Sequence, residues 1–312
     1  MRVGTRGSKL ALAQADKVCR LIKGMGIEAV PVVIKTSGDI HTSEPLHAMK
    51  GGVGAFVQEI DERLLQGEID LAVHSLKDVP TARPDGIGQA AVLQRESPCD
   101  VAVTTTGMRL AELKEGAVVG TSSTRRAAFI KRRYPHLVTE NIRGNVDTRL
   151  RKLSEGEYDA ILLAEAGLIR LGLDVEAERL DPYQFVPSAN QGVITIAARP
   201  GSEASSIAAL LNDEPTFIET RVERLIATHL DGGCVAPMGV YARIDGGEID
   251  VVCEVLSLDG KKCSRVRDVI PLEGYEASAM DLAKLLADRG GRALVEEAKR
   301  QLRSVSSDKK DG

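Results

Sequence analysis

The sequence predicts an α/β fold of two similar lobes with mainly parallel sheets, followed by a smaller α+β domain with an antiparallel sheet. Two observations predict the lobes. Short runs rich in valine and isoleucine alternate with helix-period segments through about the first two hundred residues, and the cycle restarts near residue 100. A third predicts the last domain: beyond Tyr241, alternating strands are joined at Asp245-Gly246-Gly247 and Asp259-Gly260.

In chain order, residues 1–6 read as a strand, and Ser8 is placed to cap a helix running to Lys23. Residues 27–35 form the next strand, the glycine loop 51–54 leads into a helix over 55–66, and 69–75 is a buried strand. The second cycle places strands at 101–104, 117–121, 138–142 and 158–165, with helices over 124–133, 146–153 and from 166. The apolar run 193–198 returns the chain to the first lobe. A helix over 218–228 precedes the hairpins, and 277–302 holds one or two helices before a polar tail, 304–312, expected to be disordered. The expected domains are 1–95 with 193–212, then 96–192, then 213–312. Ligands of such sheets bind at the carboxyl ends of the strands, so a cleft between two facing lobes is the expected site.

Composition removes several classes of function. Among 312 residues the net charge is −4, so there is no global drive toward nucleic acid or acidic membranes. Aromatic residues make up 3% and tryptophan is absent, which leaves few platforms for base stacking. No apolar run approaches the roughly 20 residues that span a bilayer, and the first residues lack a signal-peptide core; a soluble, cytoplasmic protein is expected. The five cysteines include no C-x-x-C pair, and the histidines show no H-E-x-x-H spacing, so neither a disulfide framework nor a metal is expected.

The unusual residues gather at strand-to-helix turns. Gly120-Thr121-Ser122-Ser123-Thr124-Arg125-Arg126 combines hydroxyls, free backbone N–H groups and two guanidiniums, an anion site in outline. Arg143-Gly144-Asn145-Val146-Asp147-Thr148-Arg149 repeats the theme, as does Gly4-Thr5-Arg6-Gly7-Ser8, and Arg170 lies early in another helix. Each arginine alone also reads as a solvated surface residue; together they suit a ligand with several carboxylates or phosphates. The strand 69–75 delivers Ser75, Lys77 and Asp78 into a turn stopped by Pro80. Asp78 is unexpected among anion sites, so its oxygens either serve an N–H-rich or cationic part of the ligand or bond their own turn. His74 reads as a satisfied strand-end histidine, and no Ser-His-Asp order is recoverable. In Leu230-Asp231-Gly232-Gly233-Cys234 two glycines end a helix and set a lone thiol on a loop, open to a role as nucleophile, attachment point or spectator.

These stretches resemble the hydroxymethylbilane synthase (porphobilinogen deaminase) family from Arg2 to about Arg303. The motifs stand in the family's order: GTRGS at 4–8, AVHSLKDVP at 72–80, GTSSTRR at 120–126, RGNVDTRL at 143–150, AGLIRLG at 166–172, NQG at 190–192 and LDGGC at 230–234. The resemblance implies two periplasmic-binding-protein-like lobes flanking a cleft, and a dipyrromethane cofactor held by Cys234 through a thioether. It implies head-to-tail condensation of four porphobilinogen molecules onto that primer with loss of ammonia, then hydrolysis to hydroxymethylbilane. Asp78 is implied as the catalytic residue; Ser75, Lys77, Asp78, Thr121, Ser123, Arg125 and Arg126 are implied to hold the cofactor. Arg6, Ser8, Phe56, Arg143, Arg149, Arg170 and Gln191 are implied to hold substrate. A monomer with no obligate protein, nucleic-acid or membrane partner is expected. One departure stands out: many members read GGKGLF where this chain has Gly51-Gly52-Val53-Gly54-Ala55-Phe56, so Val53 replaces a loop lysine and Lys50 is the nearby cation.

Two other classes compete on the residues alone. A two-lobed anion receptor would explain the arginines but not Cys234, Asp78 or the third domain. A phosphoryl-transfer enzyme would need the G-x-x-x-x-G-K-[ST] loop, which is absent.

Overall fold

The structure, a computed structural model, describes residues 1–35, 55–81, 83–230 and 236–307, without the side chains of 55–56 and 305–307. The chain divides into two compact units. The first comprises Met1–Ser97, Ile169–Leu173 and Gln191–Ile218; the second comprises Pro98–Leu168, Asp174–Asn190 and Glu219–Gly312.

The first unit is built on a five-stranded sheet of β1 (Arg2–Thr5), β2 (Val30–Val33), β3 (Leu71–Ser75), β4 (Gly88–Val92) and β10 (Ile194–Ala198), in the order β2-β1-β3-β10-β4. β1 runs parallel to β2 and β3, while β10 runs antiparallel to β3 and β4. The run 193–198 thus does rejoin the first sheet, and it does so as its one reversed strand. Both faces are covered, which explains why successive residues of β3 and β10 are buried rather than alternately exposed. Leu71, Val73, Ile194 and Ile196 face α1 (Lys9–Gly24) and α6 (Glu203–Ala209), through Val18, Ile22 and Ala208. Ala72 and Ala197 face α2 (Ala55–Leu65), through Ile60 and Leu64. Ser8 caps α1 as expected, accepting from Ala11 N at 3.3 Å.

The second unit repeats the plan with β5 (Asp100–Thr104), β6 (Val118–Gly120), β7 (Val138–Glu140), β8 (Ala160–Ala164) and β9 (Glu178–Arg179), ordered β7-β6-β8-β5-β9. β6 is parallel to β7 and β8, and β5 is antiparallel to β8 and β9. Its helices include α3 (Thr124–Arg133), α4 (Val146–Ser154) and the start of α5 (Glu165–Leu171), whose residues from Ile169 belong to the first unit. α7 (Glu214–His229) precedes a meander of β11 (Met238–Asp245), β12 (Glu248–Leu256) and β13 (Cys263–Pro271), backed by α8 (Tyr275–Leu286) and α9 (Arg292–Ser307). Gly246 and Gly247 join β11 to β12 at φ +59 and +92, the positive pair that a two-residue hairpin demands. Phe129, Ile130 and Leu162 share one buried cluster with Tyr241, Val252 and Leu256, so the second lobe's sheet and the antiparallel sheet share a core.

The structure departs from the sequence expectation at several bounds. α7 begins at Glu214 rather than 218, because Asp213 caps it, accepting from Thr216 N at 3.0 Å. The helical span 277–302 is two helices, broken where Gly290 takes φ +98. α9 continues through Ser307, so part of the segment expected to be disordered is helical. β4 and β9 were not anticipated.

Candidate active site

In the first unit the site grows from the end of β3. The strand is pinned between β1 and β10, and Leu76 plugs a small cluster with Val79, Val92 and Val193. Leu76 N donates to Val193 O at 2.9 Å and Val79 N donates back to Leu76 O at 3.1 Å, so one tight turn covers Leu76–Asp78. This turn leaves Lys77 half-buried and Asp78 exposed. Lys77 Nζ donates to Gln191 Oε1 at 3.1 Å, and Gln14 Nε2 donates to Ser75 Oγ at 2.7 Å.

Gln191 is buried in a turn whose flanking residues both have positive φ, Asn190 at +66 and Gly192 at +88. Its carbonyl accepts from Arg95 Nε at 3.1 Å. The Gly192 carbonyl accepts from Arg170 Nη2 at 2.8 Å, and Arg170 Nε reaches Glu96 Oε2 at 2.5 Å. Lys17 Nζ takes the other Glu96 oxygen at 2.7 Å. Four residues expected at the site (Ser75, Lys77, Arg170 and Gln191) thus fall into one hydrogen-bonded region together with Gly192 of the same motif, with Gln14 and Glu96 as partners that the sequence did not announce. Arg6 is half-buried after β1. Burial, with the charges of Arg83 and Arg6, pushes His74 down to about 3, so that imidazole is neutral.

In the second unit the site is the turn between β6 and α3. Thr121 is buried, and its Oγ1 accepts from Ser123 N at 3.3 Å. Ser122 Oγ donates to Ile142 O at 2.6 Å, tying this turn to the segment that carries Arg143. Ser123 caps α3 through Arg126 N at 3.4 Å. Arg125 and Arg126 are both buried and share one carboxylate, Asp100 at the start of β5, at 2.6 and 2.7 Å. Burial lowers the Arg125 pKa against the opposing pull of Asp100. Arg149 donates through Nε to Gly144 O at 2.9 Å, and among the described residues no carboxylate pairs with it. Burial, then the Arg126 charge, pushes Arg149 down to about 10. Arg125 and Arg126 therefore share one carboxylate, Asp100, and Arg149 adds positive charge near Arg126. Arg143 is half-buried in the same turn region.

Asp78 belongs to the first unit and the Arg125–Arg126 pair to the second. Cys234, its loop glycines Gly232 and Gly233, and Lys50 to Gly54 including Val53 lie outside the described residues; Phe56 falls within α2 with its side chain outside them. The described cysteines contrast with a reactive thiol. Burial raises Cys19, and it pushes Cys253 up to about 12 and Cys263 up to about 11. Among the described residues no cluster of His, Cys, Asp and Glu could hold a metal, and no helix is long and apolar enough to cross a membrane.

Residues 1–206 match the family described as "Porphobilinogen deaminase, dipyromethane cofactor binding domain", and 217–289 match "Porphobilinogen deaminase, C-terminal domain". The chain belongs to the porphobilinogen deaminase family. A probable porphobilinogen deaminase of Methanocella arvoryzae is 65% identical over 302 residues, covering 97% of this chain and 99% of that one. One from Methanococcoides burtonii is 49% identical over 300 residues, covering 96% and 97%. A porphobilinogen deaminase of Syntrophobacter fumaroxidans is 40% identical over 301 residues, covering 95% and 97%. Among solved structures, a nutrient-binding protein from Burkholderia cenocepacia aligns at TM-score 0.42 and 12% identity, covering 69% of this chain and 92% of that one, a score too low to carry an argument. As a porphobilinogen deaminase the chain is a transferase of tetrapyrrole and heme biosynthesis, and its first 206 residues are the dipyrromethane-binding part. The receptor and phosphoryl-transfer readings are set aside by that membership.

The cofactor suits the residues present. A dipyrromethane carries several carboxylates, and the second unit holds two buried guanidiniums, Arg125 and Arg126, on the single carboxylate of Asp100, which leaves positive charge there for another.

Proposed function

We propose that this porphobilinogen deaminase condenses four porphobilinogen molecules head to tail onto a dipyrromethane primer attached through a thioether to Cys234, then releases hydroxymethylbilane by hydrolysis. The observation that carries the reading is the gathering of cations in the second unit: Arg125 and Arg126 share the carboxylate of Asp100, and Arg149 adds positive charge near Arg126. Each pyrrole bears an acetate and a propionate, so a growing chain delivers the missing negative charge. The primer, when bound, supplies the nucleophilic terminal pyrrole carbon.

The chain's own residues hold and orient the rest. Arg125, Arg126, Lys77 and the hydroxyls of Ser75, Thr121 and Ser123 take the primer's carboxylates by charge-assisted and neutral hydrogen bonds. Arg6, Ser8, Phe56, Arg143, Arg149, Arg170 and Gln191 take the incoming substrate. At each addition the terminal pyrrole carbon bonds to the aminomethyl carbon of the incoming molecule, the carbon–nitrogen bond there breaks, ammonia leaves and the attacking ring carbon loses its proton. Positive charge passes over the pyrrole nitrogens. Asp78, exposed at the tip of the turn and bracketed by Leu76 and Val79 anchors, accepts their N–H groups and stabilises that charge.

The test is Asp78→Asn, which keeps the shape and removes the charge. Loss of one such electrostatic partner is worth about 2.7–4 kcal/mol of barrier, roughly 10²–10³ in turnover. Porphobilinogen consumption and ammonia release should fall by that factor while the circular dichroism spectrum is unchanged. Wild-type turnover in this variant would remove Asp78 from the mechanism.

A further inference from the structure

Asp100 answers a difficulty that the second unit sets for itself. Arg125 and Arg126 occupy the first turn of α3, where the helix dipole already presents positive charge and cations are disfavoured. Both are also buried, which disfavours charge further. Asp100, wholly buried at the start of β5, meets the two guanidiniums in different ways. Its Oδ1 accepts Arg126 side-on, from Nε at 3.0 Å and Nη2 at 2.7 Å. Its Oδ2 accepts Arg125 end-on, from Nη2 at 2.6 Å. Backbone carbonyls then fix the remaining direction of each: Leu162 O takes Arg126 Nη1 at 3.0 Å and Val186 O takes Arg125 Nη1 at 2.8 Å. Two N–H groups of Arg125 and three of Arg126 are thereby committed, half of the ten the pair carries. Neither guanidinium can swing.

We propose that Asp100 is a positioning residue for carboxylate binding: it aligns Arg125 and Arg126 before the ligand arrives and holds their combined charge at a single positive unit. The inference rests on reading those arginines as carboxylate ligands. One positive unit leaves the pair electrostatically open to one carboxylate, and the fixed orientation aims the uncommitted N–H groups. Without Asp100 the pair would carry two buried positive charges and would draw an anion into its place.

Asp100→Asn in the full-length protein tests this with citrate, a tricarboxylate, as the probe. Removal of one partner of a buried ion pair should lower Tm by about 5–10 °C in sodium chloride. At matched ionic strength citrate should restore half or more of that loss, and it should shift wild type by less. A role confined to holding the fold predicts the same Tm loss in both salts, and that result would overturn the proposal. The double variant Asp100→Asn, Arg126→Met removes the surplus cation. It should recover stability relative to Asp100→Asn and lose the citrate response; persistence of the response would also overturn the proposal. Should Asp100→Asn alone yield no folded protein, the double variant decides by itself, since failure to rescue folding contradicts the charge argument. Porphobilinogen does not enter these measurements. Failure of the wild-type enzyme to consume it would instead count against the proposed function and leave the Asp100 result standing.

Discussion

Gly192→Ala should damage both stability and turnover, and its cost can be worked from local geometry. Gly192 has φ +88, and a β-carbon there would stand 2.5 Å from Ser97 O, 3.0 Å from Ser97 C and 3.2 Å from Glu96 O. The dihedral alone costs an alanine about 1–2 kcal/mol. The obstruction is backbone rather than a side-chain tip, so residues 96–97 must move, and such overpacking adds about 1–3 kcal/mol. The total is about 2–5 kcal/mol, read from the urea midpoint at constant m-value. Movement of that segment also displaces the Gly192 carbonyl from Arg170 and the Gln191 side chain from Lys77. Porphobilinogen consumption by the folded variant should therefore fall by at least about tenfold, the equivalent of about 1.4 kcal/mol. Gly201→Ala is the control: Gly201 has φ +75 and nothing within 4 Å of a new β-carbon, so only the dihedral cost applies. A Gly192→Ala protein within about 0.5 kcal/mol of wild type, or no less stable than Gly201→Ala, would show that residues 96–97 do not obstruct the new β-carbon.

Two further predictions concern buried charge. His74 is held down to about 3 when folded and ordinarily titrates near 6.5, so below that value the unfolded chain takes a proton the folded one refuses. Stability is therefore complete above pH 6.5 and falls toward pH 3, by about 2 kcal/mol at pH 5. Burial raises Asp61 against the pull of Arg83, so Asp61 takes its proton readily in the fold and returns part of that loss. His74→Gln should flatten the difference in urea midpoint between pH 7 and pH 5; an unchanged difference would assign the acid sensitivity elsewhere. Arg149→Met should relieve a half-buried cation crowded by Arg126 and stabilise the primer-free protein by about 2 kcal/mol, while raising the KM for porphobilinogen at least fivefold. A less stable variant with unchanged KM would contradict the role given to Arg149.

Much of the fold was legible because its signals are local. Mostly apolar runs at β3, β8 and β10 announced strands covered on both faces, and Gly246-Gly247 announced a hairpin. The short β9 strand is set by pairing with β5 and leaves little mark of its own in the sequence. The start of α7 is readable from Asp213 followed by Pro215, a capping pattern that lies ahead of the apolar run after Ile218. Within the candidate site the arginines stood out by their place at strand-to-helix turns. Their carboxylate partners did not, because Asp100 lies 25 and 26 residues from its arginines and Glu96 lies 74 from Arg170. The available signal was an aspartate opening the apolar strand Asp100–Thr104, since a charge committed to burial requires a counter-charge.

A covalent primer on Cys234 would show in the intact mass of the protein under denaturing conditions. Purified wild-type protein should exceed its sequence mass by one dipyrromethane unit, or gain that unit after incubation with porphobilinogen, and Cys234→Ser should stay at its sequence mass in both cases. A wild-type protein that remains unmodified after incubation, or a Cys234→Ser protein that carries the adduct, would contradict the account.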